Sequence, residues 1–363
     1  MNYAVVMAGG KGKRLWPLSR ANRPKQVLKL LDGGHTLIRR CVERLLDIFE
    51  PDNIIILTNA GFVGLIRENL PEIPAGNIIA EPCVRDTAGA IGLAASILNK
   101  DDPEATMAVV TADQIIEPSS VFKQGIDDAL SFINNNPDSL LTFGIKPTEP
   151  SSQYGYIKCI EPEDYEYCRN KVYKVESFIE KPDEKTAQKY LEQGNFFWNS
   201  GMFVWKAGTI LANLSKFLPE TSEPLGKISE DWGTENQKQT LYEWFVKLPK
   251  ISVDYAVMEN AANVYAINLE CRWLDLGAFS ALAEFIDSDK DRNIIVAGCS
   301  QLLDCKDNII VTEEQGHLIA AIGIENLVVA HTPDATLICT KDQTKRLKDL
   351  LEIIQANTGE RFL

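Results

Sequence analysis

The first residues able to do chemistry lie at the amino end. Val5-Val6-Met7-Ala8-Gly9-Gly10-Lys11-Gly12-Lys13-Arg14-Leu15-Trp16-Pro17 runs from an apolar, strand-like stretch into a loop with three glycines and three cations. Glycines let a backbone approach a phosphate chain closely and turn its N–H groups toward the oxygens. Arg14 offers a planar fork for phosphate, and Lys25, in Arg23-Pro24-Lys25-Gln26, offers a compact charge. A P-loop is excluded, because Gly12-Lys13 is followed by Arg14 and position 7 is Met; a dinucleotide fingerprint is excluded because Leu15 stands where it needs glycine. What remains is a loop suited to a small polyanion, or a glycine turn with solvated basic residues.

The charge distribution bears on that choice. The chain of 363 residues has a net charge of −14, yet residues 1–45 hold Lys11, Lys13, Arg14, Arg20, Arg23, Lys25, Lys29, Arg39, Arg40 and Arg44 against only Asp32 and Glu43. An acidic chain repels a nucleic-acid backbone, so nucleic-acid binding is not expected, whereas a local cationic patch suits a small anion. No apolar run reaches the ~20 residues that span a bilayer. Met1-Asn2-Tyr3 leads into a strand without the pattern of a signal peptide, so a cytoplasmic protein with no membrane partner is expected. The eight cysteines form no CxxC pair and sit largely in apolar runs, which predicts free, structural thiols.

These residues need elements to hold them. Strand-like runs at Tyr3–Ala8, Asn53–Thr58, Asn77–Ala80, Thr106–Ala112 and Leu140–Ile145 alternate with helical patterns at 36–49, 60–70, 87–99 and 119–134, with Asp86 and Ser119 as expected N-caps of the last two. That alternation predicts a doubly wound, mostly parallel α/β sheet. From 150 to 290 strands (Tyr154–Ile160, Val172–Phe178, Met202–Trp205, Val264–Leu269) mix with helices at 183–193, 207–217, 236–247 and 253–261, the last capped by Ser252. Short apolar runs then recur to residue 340, and a helix is expected at 342–356. The division predicted is a catalytic domain over 1–288 and a small all-β domain over 289–363.

The segment from Ala8 to Ser19, with Pro24 and Lys25 in step, resembles the signature of the sugar-1-phosphate nucleotidyltransferases, G-G-x-G-x-R-L-x-P-L-[ST] followed by P-K. The resemblance continues through Thr111-Ala112-Asp113-Gln114, Tyr154-Gly155-Tyr156-Ile157, Glu180-Lys181-Pro182 and Trp198-Asn199-Ser200-Gly201-Met202. Ser252-Val253-Asp254-Tyr255-Ala256-Val257-Met258-Glu259 and Trp273-Leu274-Asp275-Leu276-Gly277 complete it, and these later motifs are similar to those of mannose-1-phosphate guanylyltransferases. Thr111, Gln114 and Gly89 depart from the guanylyltransferase pattern.

The resemblance implies transfer of a guanylyl group from GTP to mannose 1-phosphate. It implies Arg14, Lys25 and Asp113 as catalytic residues, Gly9, Gly10, Gly12, Glu81 and Thr87 at the nucleotide, and Gly155, Glu180 and Asn199 at the sugar. It implies Mg²⁺ held by Asp113 and Asp275 and a left-handed β-helical coil after residue 290. A small C-terminal domain gains from leaning on something larger, so it is expected to pack on the catalytic domain and to contribute to a homodimer, closed two-fold dimers being the commonest oligomer. Bacterial members often carry a further cupin-type isomerase domain, for which this chain is too short, so isomerase activity is not expected. A nucleotidyltransferase of other base or sugar preference, and a nucleotide-sugar-binding regulatory relative, stay open. Retention of Arg14, Lys25 and both aspartates favours the enzyme.

Overall fold

The structure is a computed structural model and describes every residue except Lys11 and residues 31–33, so Lys11 and Asp32 of the N-terminal charge run lie outside it. The chain begins as strand and helix in turn: β1 (Asn2–Ala8), α1 (Leu37–Leu46), β2 (Ile54–Asn59), α2 (Val63–Asn69), β3 (Ile78–Glu81), α3 (Asp86–Asp101) and β4 (Thr106–Thr111). A short β5 (Gln114–Glu117), α4 (Ser119–Asn135), β6 (Leu140–Ile145), β7 (Tyr156–Glu163), β8 (Val172–Ile179), α5 (Glu184–Gln193) and β9 (Phe196–Lys206) follow. Next come α6 (Ala207–Phe217), α7 (Ser222–Asp231), α8 (Gln237–Phe245), β10 (Val264–Asn268), β11 (Arg272–Asp275) and α9 (Phe279–Phe285).

Nine strands make one sheet in the order β3-β2-β1-β4-β9-β6-β10-β8-β7. The parallel character expected from the sequence lies in β3-β2-β1-β4 and in β6-β10, while β9, β8 and β7 pair antiparallel with their neighbours. Alternate residues of β1 serve opposite faces. Ala4, Val6 and Ala8 join a core with α1, α2 and α4, and Val5 joins a second core with α3, α6, α7 and α8. Burial on both faces is what makes these strands read as continuous apolar runs. No helix among the described residues is long and apolar enough to cross a membrane.

Beyond α9 the chain winds as a β-helix. β12 (Ile294–Val296), β13 (Cys299–Leu303), β14 (Ile309–Thr312), β15 (Leu318–Ile322), β16 (Leu327–Thr332), β17 (Ala335–Thr340) and α10 (Leu347–Thr358) complete the fold. Ile294 stacks in parallel register on Ile309 and Ile309 on Val328, while β13 stacks on β15 along a second side. β17 turns back antiparallel on β16 and closes that edge. Buried asparagines bind the coils: Asn308 Nδ2 donates to Asn293 Oδ1 at 2.9 Å, and Leu327 N donates to Asn308 Oδ1 at 3.0 Å.

Several local expectations are corrected. The helix expected at 253–261 is a single π turn, Asp254–Met258, closed by the Glu259 N–H donating to the Asp254 carbonyl at 3.0 Å. Ser252 Oγ accepts from Tyr255 N at 3.4 Å, a cap on that turn alone. Asp86 does not cap α3; it is the first helical residue, at φ 60°, and its carboxylate accepts from the neighbouring Thr87 N–H. Ser119 is likewise inside α4, because Pro118 occupies the cap position. The strand expected at Met202–Trp205 extends back to Phe196, and β5, β11, β13, α7 and α9 were not anticipated.

The β-helix leans on the first part of the chain through one apolar core. Ile309, Val311, Val328, Ala330, Leu337, Leu347 and Leu351 pack in the same cluster as Leu15, Trp16 and Leu18, from just after the glycine loop, and as Leu274, Leu276 and Phe279. Two cations reinforce that junction, Arg20 with Asp334 at 2.7 Å and Arg23 with Glu313. Leu337→Ala should therefore cost about 2–5 kcal/mol of stability, as truncation of a well-packed buried leucine does. Urea unfolding followed by tryptophan fluorescence and by far-UV circular dichroism should shift together to lower denaturant. Two separate transitions would show the β-helix to be independent.

Candidate active site

The glycine loop leaves the C-terminal end of β1, an interior strand between β2 and β4, where an open α/β sheet binds ligands. Its glycines are tightly overlaid by the chemistry-bearing side chains. A Cβ on Gly9 would lie 3.8 Å from Glu81 Oε1, and one on Gly12 only 2.7 Å from Lys25 Cβ. Gly12 also holds φ 64°, a left-handed conformation that favours glycine. Gln26 Nε2 donates to the Gly10 carbonyl at 3.1 Å, and Ser19 Oγ donates to the Gly12 carbonyl, so the loop is fixed from both sides.

Lys25 is the hub. Its ammonium pairs with Asp113 and lies 3.7 Å from Asp275. The two aspartates meet because β5 and β11 pair antiparallel, Asp275 standing opposite Gln114, with Leu276 N donating to the Asp113 carbonyl. Burial opposes the Lys25 charge, but Asp113 and Asp275 outweigh it and hold the ammonium above its usual pKa. Asp275 is pushed up by burial and by Asp113, against the pull of Lys25 and Arg14. Arg14 is exposed, lies over Gly277 with Nη2 3.4 Å from where a Cβ would be, and has no ion pair among the described residues.

Near Gly9, Glu81 closes β3 at 8% exposure without a hydrogen-bond partner among the described residues, and burial lifts its carboxyl to about 7. Thr87 sits in the first turn of α3, where its hydroxyl accepts from Val253 N at 2.8 Å. Elsewhere, Tyr154 packs between Trp198 and Trp273, ring centroids 5.0 and 5.1 Å away. Gly155 accepts from Asn199 N at 2.8 Å, and a Cβ on it would strike Glu180 Oε2 at 2.5 Å. Glu180 also pairs with Lys181. The expected site residues thus fall into three groups: Glu81 beside Gly9, Lys25 with Gly12, Asp113 and Asp275, and Gly155 with Glu180 and Asn199. Thr87 borders the third through its backbone partner.

Comparison with known proteins agrees with this arrangement. The nucleotidyl transferase family profile matches residues 3–292, and that of the MannoseP isomerase/GMP-like β-helix domain matches residues 301–354. The mannose-1-phosphate guanylyltransferase RfbM of Salmonella typhimurium is 36% identical over 99% of this chain and 73% of its own length. A Klebsiella pneumoniae mannose-1-phosphate guanylyltransferase is 36% identical over 100% of this chain and 76% of its own. Among solved structures, that of a mannose-1-phosphate geranyltransferase from Thermus thermophilus is 30% identical, covers 98% of this chain and 99% of its own, and superposes with a TM-score of 0.86. The chain belongs to the mannose-1-phosphate guanylyltransferase family.

Against that family, two features of the site stand out. The Gln114 amide donates to the Ser200 carbonyl, so this departure from the family pattern tethers β5 to the strand that carries Asn199. Asp254, quoted within a matched motif but not given a role, is hydrogen-bonded to Asn199 at 2.9 Å and is pushed up to about 6 by burial and by Glu180. Its polar side chain in an otherwise apolar segment was the available signal. The basic patch is also smaller than the charge count implied. Arg20 and Arg23 join the β-helix, Arg39 pairs with Glu43 and Glu72, and Arg44 bonds the Gln114 carbonyl. Lys25 and Arg14 are the cations that meet at the two aspartates.

Gly12→Ala should expose the cost of this packing. The new Cβ meets Lys25 and takes a left-handed conformation, which costs about 1–2 kcal/mol. Displacing Lys25 by a fraction of an ångström to one ångström should lower kcat on the order of 10²-fold. Turnover and thermal unfolding of the variant would be compared; a normal kcat would show that Lys25 placement is not set by the loop.

Proposed function

We propose that this chain transfers the guanylyl group of GTP to mannose 1-phosphate, giving GDP-mannose and pyrophosphate. The observation that carries the reading is the Lys25 ammonium between Asp113 and Asp275, its stem packed against Gly12 of the glycine loop. The sugar-phosphate oxygen attacks the α-phosphorus in line. The bond to the oxygen bridging to the β-phosphorus breaks, and pyrophosphate leaves with its electron pair. No protein nucleophile is required, and the buried thiols are poor ones, Cys41 raised to about 11 and Cys159 to about 12 by burial. Positioning and charge stabilisation remain. Backbone N–H groups of Gly9, Gly10 and Gly12 cradle the triphosphate, Arg14 takes phosphate oxygens in its fork, and Lys25 offsets charge at the reacting phosphorus.

Asp113 and Asp275 fit a divalent cation. They are two adjoining carboxylates, Asp275 raised by burial and then by repulsion from Asp113, and among the described residues no group of three or more His, Cys, Asp or Glu could complete a cage. Mg²⁺ uses one or two carboxylates and takes its other ligands from phosphates and water. Bound there, it would supply charge neutralisation and a common template for two anionic substrates. Glu81 would read the base, its carboxylate accepting from N1–H and N2–H₂ of guanine, an edge that adenine lacks. We further assign the enzyme to the cytoplasm as a homodimer, with the exposed Leu303, Leu318 and Ile322 on paired β13 and β15 as the apolar surface available for a two-fold contact.

Three measurements test this reading. With mannose 1-phosphate, pyrophosphate release should favour GTP over ATP and UTP by on the order of 10² or more in kcat/KM, because a buried acceptor left unpaired rejects the wrong base. Equal use of UTP would reject guanine specificity. Chelation by EDTA and the Asp275→Asn substitution should each abolish most turnover, and activity that survives both would reject the metal assignment.

The pH dependence has a definite sign. Glu81 titrates at about 7 in the free protein, and guanine's donors favour its ionised form, so GTP affinity is full above that value and falls as the carboxyl takes up a proton. KM for GTP should rise toward tenfold per pH unit below about 7, since one pKa unit is a factor of ten in binding. In Glu81→Gln the slope should vanish and the preference for GTP should shrink. A KM for GTP that is flat across this range in the unaltered protein would remove Glu81 from the base site.

A further inference from the structure

We propose that Asp254 is a positioning residue for the sugar phosphate, acting through the Asn199 amide. The inference rests on the guanylyl-transfer reading above and assigns a role within the same site. Asn199 Oδ1 lies 3.2 Å from Gly201 N and 3.1 Å from Thr142 Oγ1, while Nδ2 donates to Asp254 Oδ1 at 2.9 Å. Thr142 cannot fix which way the amide points. Its one hydroxyl hydrogen is also within reach of the Met202 carbonyl at 3.0 Å, and a hydroxyl oxygen can donate or accept. The two unambiguous partners decide. A backbone N–H only donates, so Gly201 selects the amide oxygen; a carboxylate only accepts, so Asp254 selects the amide nitrogen.

With that orientation set, the second N–H of the Asn199 side-chain amide has no partner among the described residues. Glu180 Oε1 is held by Lys181, which leaves Oε2 as an acceptor. Gly155 adjoins both residues: its missing Cβ would stand 3.5 Å from Asn199 Cβ and 2.5 Å from Glu180 Oε2. A donor and an acceptor on two residues that adjoin one glycine match a sugar hydroxyl, which accepts from one and donates to the other. An inverted amide would present two acceptors there and lose the match.

The segment that carries Asp254 is itself braced. Val253 N donates to Thr87 Oγ1 at 2.8 Å, and Ala88 N donates to the Ile251 carbonyl at 3.2 Å, which fastens it to the first turn of α3. Asp254 then opens the π turn that ends at Met258. Its side chain thus projects from a fixed backbone rather than from a loop.

The test uses the full chain, with kcat and separate KM values for GTP and mannose 1-phosphate in the unaltered protein and five variants, Asn199→Ala among them. Asp254→Leu and Asp254→Ala, which have no acceptor, should raise KM for the sugar phosphate about tenfold and leave KM for GTP within about twofold, as loss of binding at one end does. Asp254→Asn keeps an acceptor oxygen and should restore most of the affinity. Because Asp254 works through Asn199, Asp254→Leu in an Asn199→Ala background should add less than about twofold, the non-additivity of coupled sites. Unchanged KM for mannose 1-phosphate in both acceptor-free variants, effects that multiply in the double variant, or Asp254→Asn no better than Asp254→Leu would each overturn the proposal. An unaltered protein that makes no GDP-mannose would overturn it together with the reading on which it rests, and would show that before any variant is made.

Discussion

One ammonium joins the two halves of this site. Asp113 follows β4, and Asp275 ends β11 after most of the antiparallel part of the sheet has been built. The pairing of β5 with β11 brings the two carboxylates together, where burial and the like charge of Asp113 raise the cost of ionising Asp275. Lys25 relieves that repulsion from between them. Its place depends in turn on Gly12, whose backbone passes so close that any side chain would collide with the Lys25 stem. The spacing from Gly12 to Lys25 and the pairing of β5 with β11 are therefore two parts of one constraint.

The same constraint explains why the β-helix is built into the molecule instead of hanging from it. Arg14 is separated by one residue, Leu15, from Trp16, and Asp275 is flanked by Leu274 and Leu276; all four apolar residues lie in the core shared with β14, β16, β17 and α10. The catalytic ends of two distant segments are thus held by a common apolar anchor. Trp16 Nε1 donates to the Phe362 carbonyl at 2.6 Å, and Arg20 Nη1 to the same carbonyl at 2.9 Å, so the last turn of chain is fastened to the residues that follow the glycine loop. A small β domain has little core of its own, and sharing one stabilises it while fixing Arg14 and Asp275.

What could be read from residues alone follows from the range of the interactions involved. β1 to β4 and their helices are legible because apolar runs and amphipathic periods are local signals, and each of those strands was anticipated to within a residue or two. The glycine loop is legible because its glycines, cations and prolines are close in sequence. β5 and β11 were not, since four residues such as Gln114–Glu117 carry no period and become a strand only by meeting Arg272–Asp275. The π turn at Asp254 was hidden for a related reason: its apolar pattern suits a helix, while the tie from Val253 to Thr87 fixes its start. The cationic run misled in proportion, because opposite charges that neutralise Arg20 and Arg23 come from Asp334 and Glu313 in the β-helix, far along the chain.

The acids of the site divide by what they face. Asp113 and Asp275 have a cation between them, whereas Glu81 has no partner among the described residues and is lifted by burial alone. Asp254 is also lifted, and its hydrogen bond to a neutral amide does not compensate for burial and for Glu180. A carboxylate buried without a cation is costly unless donors arrive to satisfy it. At the centre those donors are part of the fold. At Glu81 no such donor stands among the described residues, so any that satisfies its carboxylate comes from solvent or a ligand.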